Sequence, residues 1–253
     1  MLRVALLCLV AVLLGGAKPV LVPDVSQRDI EIIYSFTGAE LLLFGAILYP
    51  DRRLPDPDAD PADIVVVVKG PVQSVLMREK QKVAGVWVNV ESMRYRSVPS
   101  FYAIASSRPI DRIVDERTRA IYELGLDSLQ LSPVTNEEPA LQDRFVKGLV
   151  GLRRRTGLFV EERSAVEITD GVLYRARIQI PARVPVGRFT AETFLIRDGR
   201  VLAAAVRDID IRKSGFERFV ARAAENASIL YGLVAVLLSV GFGWAAGALW
   251  RRF

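Results

Sequence analysis

Histidine is absent from this chain of 253 residues, and its one cysteine, Cys8, falls in an apolar run close to the N-terminus. That run reads as a secretory signal, with Arg3 ahead of Val4 to Leu14 and the small residues Gly15, Gly16 and Ala17 before Lys18. With residues 1–17 removed, the mature chain holds neither histidine nor cysteine. The two absences exclude disulfides, Cys or His nucleophile and base pairs, haem ligation by histidine and the common zinc and copper sites. A lipid anchor on Cys8 is a poor reading, because only seven residues precede it and no small residue stands before it. Carboxylate, Ser, Lys, Tyr and Arg chemistry remains open, as does binding of hard cations by oxygen.

A concentrated positive surface is missing too, although the formal charge is +5. Setting aside Arg3, Arg251 and Arg252 from the 34 basic residues leaves 31 against 29 acids, a balance of +2. Nucleic acid as a partner needs a far stronger basic footprint. Catalytic signatures are also lacking: there is no Gly-x-Ser-x-Gly elbow and no Ser-x-x-Lys pair, and Ser106 and Ser107 beside Arg108 are merely the most suggestive serines. No enzyme and no cofactor is expected.

What the chain does have is Ala227 to Leu249, twenty-three consecutive residues without a charge, followed by Trp250 and then Arg251 and Arg252. About 20 apolar residues rising ~1.5 Å each cross a hydrocarbon core of ~30 Å. Ser239, Gly243 and Gly247 recur at four-residue spacing and form a candidate helix-packing face, while Trp244 and Trp250 suit interfacial anchors. Ser214-Gly215-Phe216-Glu217 reads as a capping box, and no proline follows before Ala227, so one continuous helix is expected from about Ser214 through Trp250.

Between the ends, β patterning dominates. Asp29 to Phe36 and Ala39 to Tyr49 suggest a hairpin about Thr37 and Gly38. Pro50 to Pro61 carries four prolines and four aspartates and reads as a loop; those aspartates and Asp63 could meet a cation through oxygen but lack the spacing of a calcium loop. Four valines in a row, Val65 to Val68, mark a strand buried on both faces. Val72 to Lys80, Gly85 to Val90 and Val98 to Pro109 continue the series, giving six short strands before residue 108 and suggesting a sandwich.

From Pro109 the period becomes helical: Ile110, Ile113, Val114, Ile121 and Leu124 before Gly125, then Thr135 with Glu138 as a capping box ahead of Leu141, Phe145, Leu149 and Leu152. Arg153 to Arg155 close that second helix in agreement with its dipole. Strands return after Gly157, with Asp170-Gly171 and Asp198-Gly199 as hairpin turns. The expected fold is mainly β with an α insertion: immunoglobulin-like sandwich modules, a helical pair and a C-terminal transmembrane helix. The expected boundaries are a signal at 1–17, a β module at 18–108, helices at 109–156, a second β module at 157–212, a juxtamembrane helix at 213–226, a span at 227–249 and a tail at 250–253. Two linked β modules are preferred to one interrupted sandwich.

Gly85-Val86-Trp87-Val88-Asn89, Val98 to Ala103, Ser106 to Pro109, the Val-Pro-x-Gly of Val184 to Gly187 and Arg197 to Gly199 together carry a resemblance. Along its whole length the chain resembles an uncharacterised family of alphaproteobacterial putative transmembrane proteins. The resemblance implies an inner-membrane protein with a periplasmic domain, a cytoplasmic C-terminus and no inherited catalytic residues. Trp87, Asn89, Tyr102, Ser107 and Arg108 are the candidate interaction surface. The functional expectation is an accessory protein acting beside a membrane partner such as a permease, or associating with itself. The alternatives are a binding module for a small anion or oxygen-liganded cation and, third, a Ser or carboxylate hydrolase.

Overall fold

The computed structural model describes residues 19–32, 38–49, 61–135, 137–213, 220 and 224–250. The expected signal, the Pro- and Asp-rich loop at 50–60 and the Ser214–Glu217 capping box lie outside the described residues. Those that are described fall into two compact units, the larger within Met1–Ile30 and Thr37–Ile211 and the smaller within Glu31–Phe36 and Arg212–Phe253.

The strands in chain order are β1 Val20–Val25, β2 Asp29–Ile32, β3 Gly38–Leu48, β4 Asp63–Lys69, β5 Val72–Val83, β6 Val86–Pro99 and β7 Tyr102–Ser106, then β8 Phe159–Glu162, β9 Val166–Thr169, β10 Leu173–Pro181, β11 Gly187–Arg197 and β12 Arg200–Lys213. They form a four-stranded sheet ordered β1-β3-β10-β9, a six-stranded sheet ordered β2-β12-β11-β4-β7-β8 and the long hairpin β5-β6. The mainly β class is as expected, but the arrangement differs from two successive modules. Each of the two larger sheets mixes strands from before and after the helical segment, because β3 pairs with β10 and β4 with β11. The expected hairpin between Asp29–Phe36 and Ala39–Tyr49 does not form either. β3 takes β1 and β10 as neighbours, while β2 joins the other sheet.

The strand order also departs from an immunoglobulin-like sandwich, since β7 and β8 run parallel. A parallel pair needs a crossover connection of a dozen or more residues. The helical segment is that crossover: α1 Ile110–Ile113, α2 Glu116–Tyr122, a single 3₁₀ turn at Leu126–Ser128 and α3 Pro139–Arg155.

Alternation decides which side of each strand faces inward. β10 buries Tyr174, Ala176, Ile178 and Ile180 and exposes the residues between them, and Leu41, Leu43 and Ile47 of β3 join them. These inner faces meet the six-stranded sheet where β10 approaches β7, β9 approaches β4 and β1 approaches β11. Ile64 to Val68 are all buried, as the valine run predicts, because β4 is covered on its far side as well. There Tyr122 of α2 sets its ring edge-on to Phe194 of β11, with centroids 5.5 Å apart.

Local chemistry fixes the turns. Asp198 and Gly199 take φ of 52° and 74° in a two-residue link between Arg197 and Arg200, and Ala84 and Gly85 do the same between Val83 and Val86 at 49° and 86°. The helical stretch breaks where sequence periodicity runs on: Val114 is extended at φ −141°, and Asp115 caps α2 by accepting from the Thr118 amide at 2.8 Å. The expected Thr135–Glu138 capping box is not what starts α3. Glu138 is the N-cap residue without a side-chain bond and Pro139 opens the helix, its missing N–H being one that no helix bonds there.

In the smaller unit, residues 224–226 are helical, Ala227 is a bend and α4 runs Ser228–Trp250. The bend replaces the single continuous helix expected from Ser214.

Candidate functional site

β4 and β7 are antiparallel neighbours, so the start of one lies beside the end of the other and Asp63 meets Ser107 and Arg108. Asp63 is buried; its carboxylate accepts from the Ser107 hydroxyl at 2.7 Å and from Arg108 Nε at 2.9 Å, while Arg108 Nη2 closes an ion pair. Ser107 Oγ also accepts the Ile64 amide at 3.3 Å. A serine hydroxyl on a carboxylate has the outline of a nucleophile and its base. Arg108 occupies both carboxylate oxygens, however, so the carboxylate is already engaged as an ion-pair partner. Ser106 is fully buried, and its hydroxyl has no hydrogen-bond partner among the described residues. An open groove of about 490 Å³ beside Arg108 carries both charge signs, with Asp111, Asp115 and Asp198 around Arg112. The Thr118 side chain and amide hold the Asp115 carboxyl below its usual range.

The other end of β4 carries a cluster that local patterns do not announce. Lys69 Nζ lies 2.9 Å from Glu123 and 3.5 Å from Glu192, all three partly buried. Glu192 lies two positions along from Thr190, the β11 partner of Lys69, so the pair is a diagonal cross-strand contact. Glu123 comes from the left-handed residue ending α2. A cleft of about 300 Å³ opens here, walled by Tyr122, Phe194 and Val206, with its lysine already engaged by two carboxylates.

Tyr102, expected on an interaction surface, is instead wholly buried beneath this cluster. Its hydroxyl donates to the Glu123 carbonyl at 2.6 Å and accepts the Gly125 amide at 3.0 Å, fastening the turn after α2 to β7. Burial pushes its phenol well above the ordinary range.

Trp87 and Asn89 are exposed on β6, away from the Asp63 contacts: their register partners are Lys82 and Lys80 of β5. The candidate surface therefore divides into a hairpin part (Trp87, Asn89), a β4–β7 end (Ser107, Arg108) and a core residue (Tyr102).

Along α4 the Ser239 hydroxyl donates to the Ala235 carbonyl at 2.8 Å, one turn back. A Cβ placed on Gly243 or Gly247 would meet open space, so none of the described residues occupies that stripe. Ile229, Leu233, Val236, Leu237, Val240, Phe242 and Trp244 are exposed around the helix. Counted over described residues, no helix is long and apolar enough to cross a membrane. The α4 backbone runs through Ser228–Trp250, but its described side chains are unbroken only as far as Trp244. Among the described residues, no cluster of His, Cys, Asp and Glu could hold a metal ion. The aspartates of 50–60 stand outside that set.

A family model described as "Putative transmembrane protein (Alph_Pro_TM)" matches residues 20–252. No curated protein matches the chain.

Proposed function

Because the chain belongs to the family of putative transmembrane proteins whose model matches residues 20–252, we propose that it is a single-span accessory protein that holds a β-rich domain beside a membrane partner. The observation that carries this reading is α4. Its 23 residues include no charge, and its large apolar side chains are exposed on every side. A helix of globular proteins is apolar on one stripe; one that is apolar all round suits an apolar solvent. At ~1.5 Å per residue it is about 35 Å long, enough for a core of ~30 Å. Its one hydroxyl bonded back into the helix, at Ser239, meets the same demand.

We place the bulk of the chain in the periplasm and the C-terminus, with Arg251 and Arg252, in the cytoplasm. The open stripe at Gly243 and Gly247 suits close approach of a partner helix, such as one of a permease, or of a second copy. We read the protein as non-enzymatic, since the serine best placed for chemistry, Ser107, has a base tied to Arg108. The binding-module alternative gains little from the structure, because Lys69 in one groove and Arg108 in the other face carboxylates at contact distance.

Extraction in a gentle detergent followed by identification of copurifying membrane proteins tests the proposal. A stoichiometric membrane partner, or a detergent-stable dimer lost on Gly243→Leu and Gly247→Leu substitution, supports it. A strictly solitary monomer refutes the partner role, and release of the chain from membranes by alkaline carbonate refutes the span.

A further inference from the structure

The hairpin β5-β6 changes character along its length. Near its base, Met93 and Tyr95 are buried, and Arg144 of α3 reaches both Glu79 and Glu91 to clamp the two strands at mid-length. Beyond that clamp every residue from Lys80 to Val90 is exposed. The register shifts between Glu79 and Lys80, and from there to the Ala84-Gly85 turn directly paired residues share a face. One face then carries Val83, Val86 and Val88 with Gln81. The other carries Lys80, Lys82, Trp87 and Asn89, with Lys82 directly opposite Trp87.

Val83, Val86, Val88 and Val90 are 41–63% exposed and Trp87 65% exposed. Apolar surface of this kind, concentrated on a projecting tip, marks a docking element. Its charge complements one partner: Lys80 and Lys82 are the only charged residues from 80 to 90, and no acid accompanies them. Two cations with no acid among the apolar residues suit a surface of uniformly negative charge. The interfacial zone of a bilayer accepts both faces at once, with valines toward the acyl chains, the indole at the headgroup level and lysine stems reaching phosphate.

We propose that the tip of this hairpin, Lys80 to Val90, is a second membrane contact that inserts into an anionic lipid surface. The inference rests on the membrane anchoring proposed above, which brings a bilayer within reach of the chain. A lysine near an anionic surface contributes a factor of roughly five in partition, so the pair contributes on the order of 25-fold.

The test uses the full chain carrying Trp244→Phe and Trp250→Phe, which leaves Trp87 as the sole indole, reconstituted into phosphatidylcholine vesicles with or without phosphatidylglycerol. With phosphatidylglycerol present, Trp87 emission is expected to shift to the blue and to be quenched by lipids brominated on the acyl chain. Lys80→Glu with Lys82→Glu should return it to the value in water. Emission that stays water-like and unquenched while the chain resists carbonate overturns the hairpin proposal and leaves the span intact. A blue shift that brominated lipid does not quench signals burial against protein and overturns it equally. A chain that carbonate releases overturns both readings.

Discussion

Two buried tyrosines on neighbouring elements make opposite predictions for the same substitution. Tyr102 and Tyr95 are both fully buried. The Tyr102 hydroxyl bridges the Glu123 carbonyl and the Gly125 amide, whereas that of Tyr95 has no hydrogen-bond partner among the described residues. Tyr102→Phe strands a buried amide and a partly buried carbonyl; an unsatisfied buried group costs ~1–3 kcal/mol, so the two together should cost about 2–3 kcal/mol. For a chain of this size that lowers Tm by roughly 4–12 °C. Tyr95→Phe removes an oxygen that was dehydrated without return, and should be neutral or stabilise by up to about 1 kcal/mol. Urea unfolding of the full chain in detergent micelles, followed by circular dichroism, measures both. Alkaline pH gives a second reading. Burial raises the folded-state value of Tyr102, so its contribution is complete below the unfolded value of ~10 and is lost as pH rises through the folded value. The gap between wild type and Tyr102→Phe should therefore narrow above pH ~10. Equal losses in the two variants, or an unchanged Tyr102→Phe, would show that the latch after α2 does not hold the crossover in place.

Other expectations concern the helix, one glycine and one cap. Val236→Arg sets a charge in the middle of α4, where insertion is disfavoured by ~2.5–3.5 kcal/mol, and should release a measurable share of the chain on carbonate extraction. Gly187→Ala should destabilise by roughly 1–3 kcal/mol in the same urea assay, since its φ is 145° and the new Cβ would lie 2.8 Å from Pro71 Cγ. The lowered carboxyl of Asp115 contributes stability that is present above its unfolded value of ~3.9 and disappears as pH falls through the folded value. Acid titration of Asp115→Ala, followed by circular dichroism, should accordingly show a shallower loss below pH ~4 than wild type.

What could be read in advance was whatever a few adjacent residues decide. Asp198-Gly199 gave its turn away because both positions need positive φ, and Val65 to Val68 announced burial on two sides. β1 was missed: Pro23 interrupts its alternation, and a proline is tolerated there only because β1 is the edge of its sheet. Strand partners were illegible for a different reason. Nothing near Glu40 indicates that its neighbour is Gln179, which donates to it at 2.7 Å. The same distance along the chain hid the Lys69 cluster, assembled from β4, the end of α2 and β11. Tyr102 was misplaced although it begins an apolar run, because its two hydrogen-bond partners stand more than twenty residues away.

That long-range weaving sets a timetable. Glu40 and Gln179 are 139 positions apart, so at synthesis rates of ~5–20 residues per second β3 waits roughly 7–30 s for β10 to emerge. β4, with its four valines and its final pairing to β11, waits in the same way. During that interval the strands made first can pair only among themselves, β1 with β3, β4 with β7 and β5 with β6, and the free edges of β3 and β4 stay open until the last third of the chain arrives. Folding of the β layers is then complete only when α4 is about to follow, which ties their closing to the moment that uncharged helix is made.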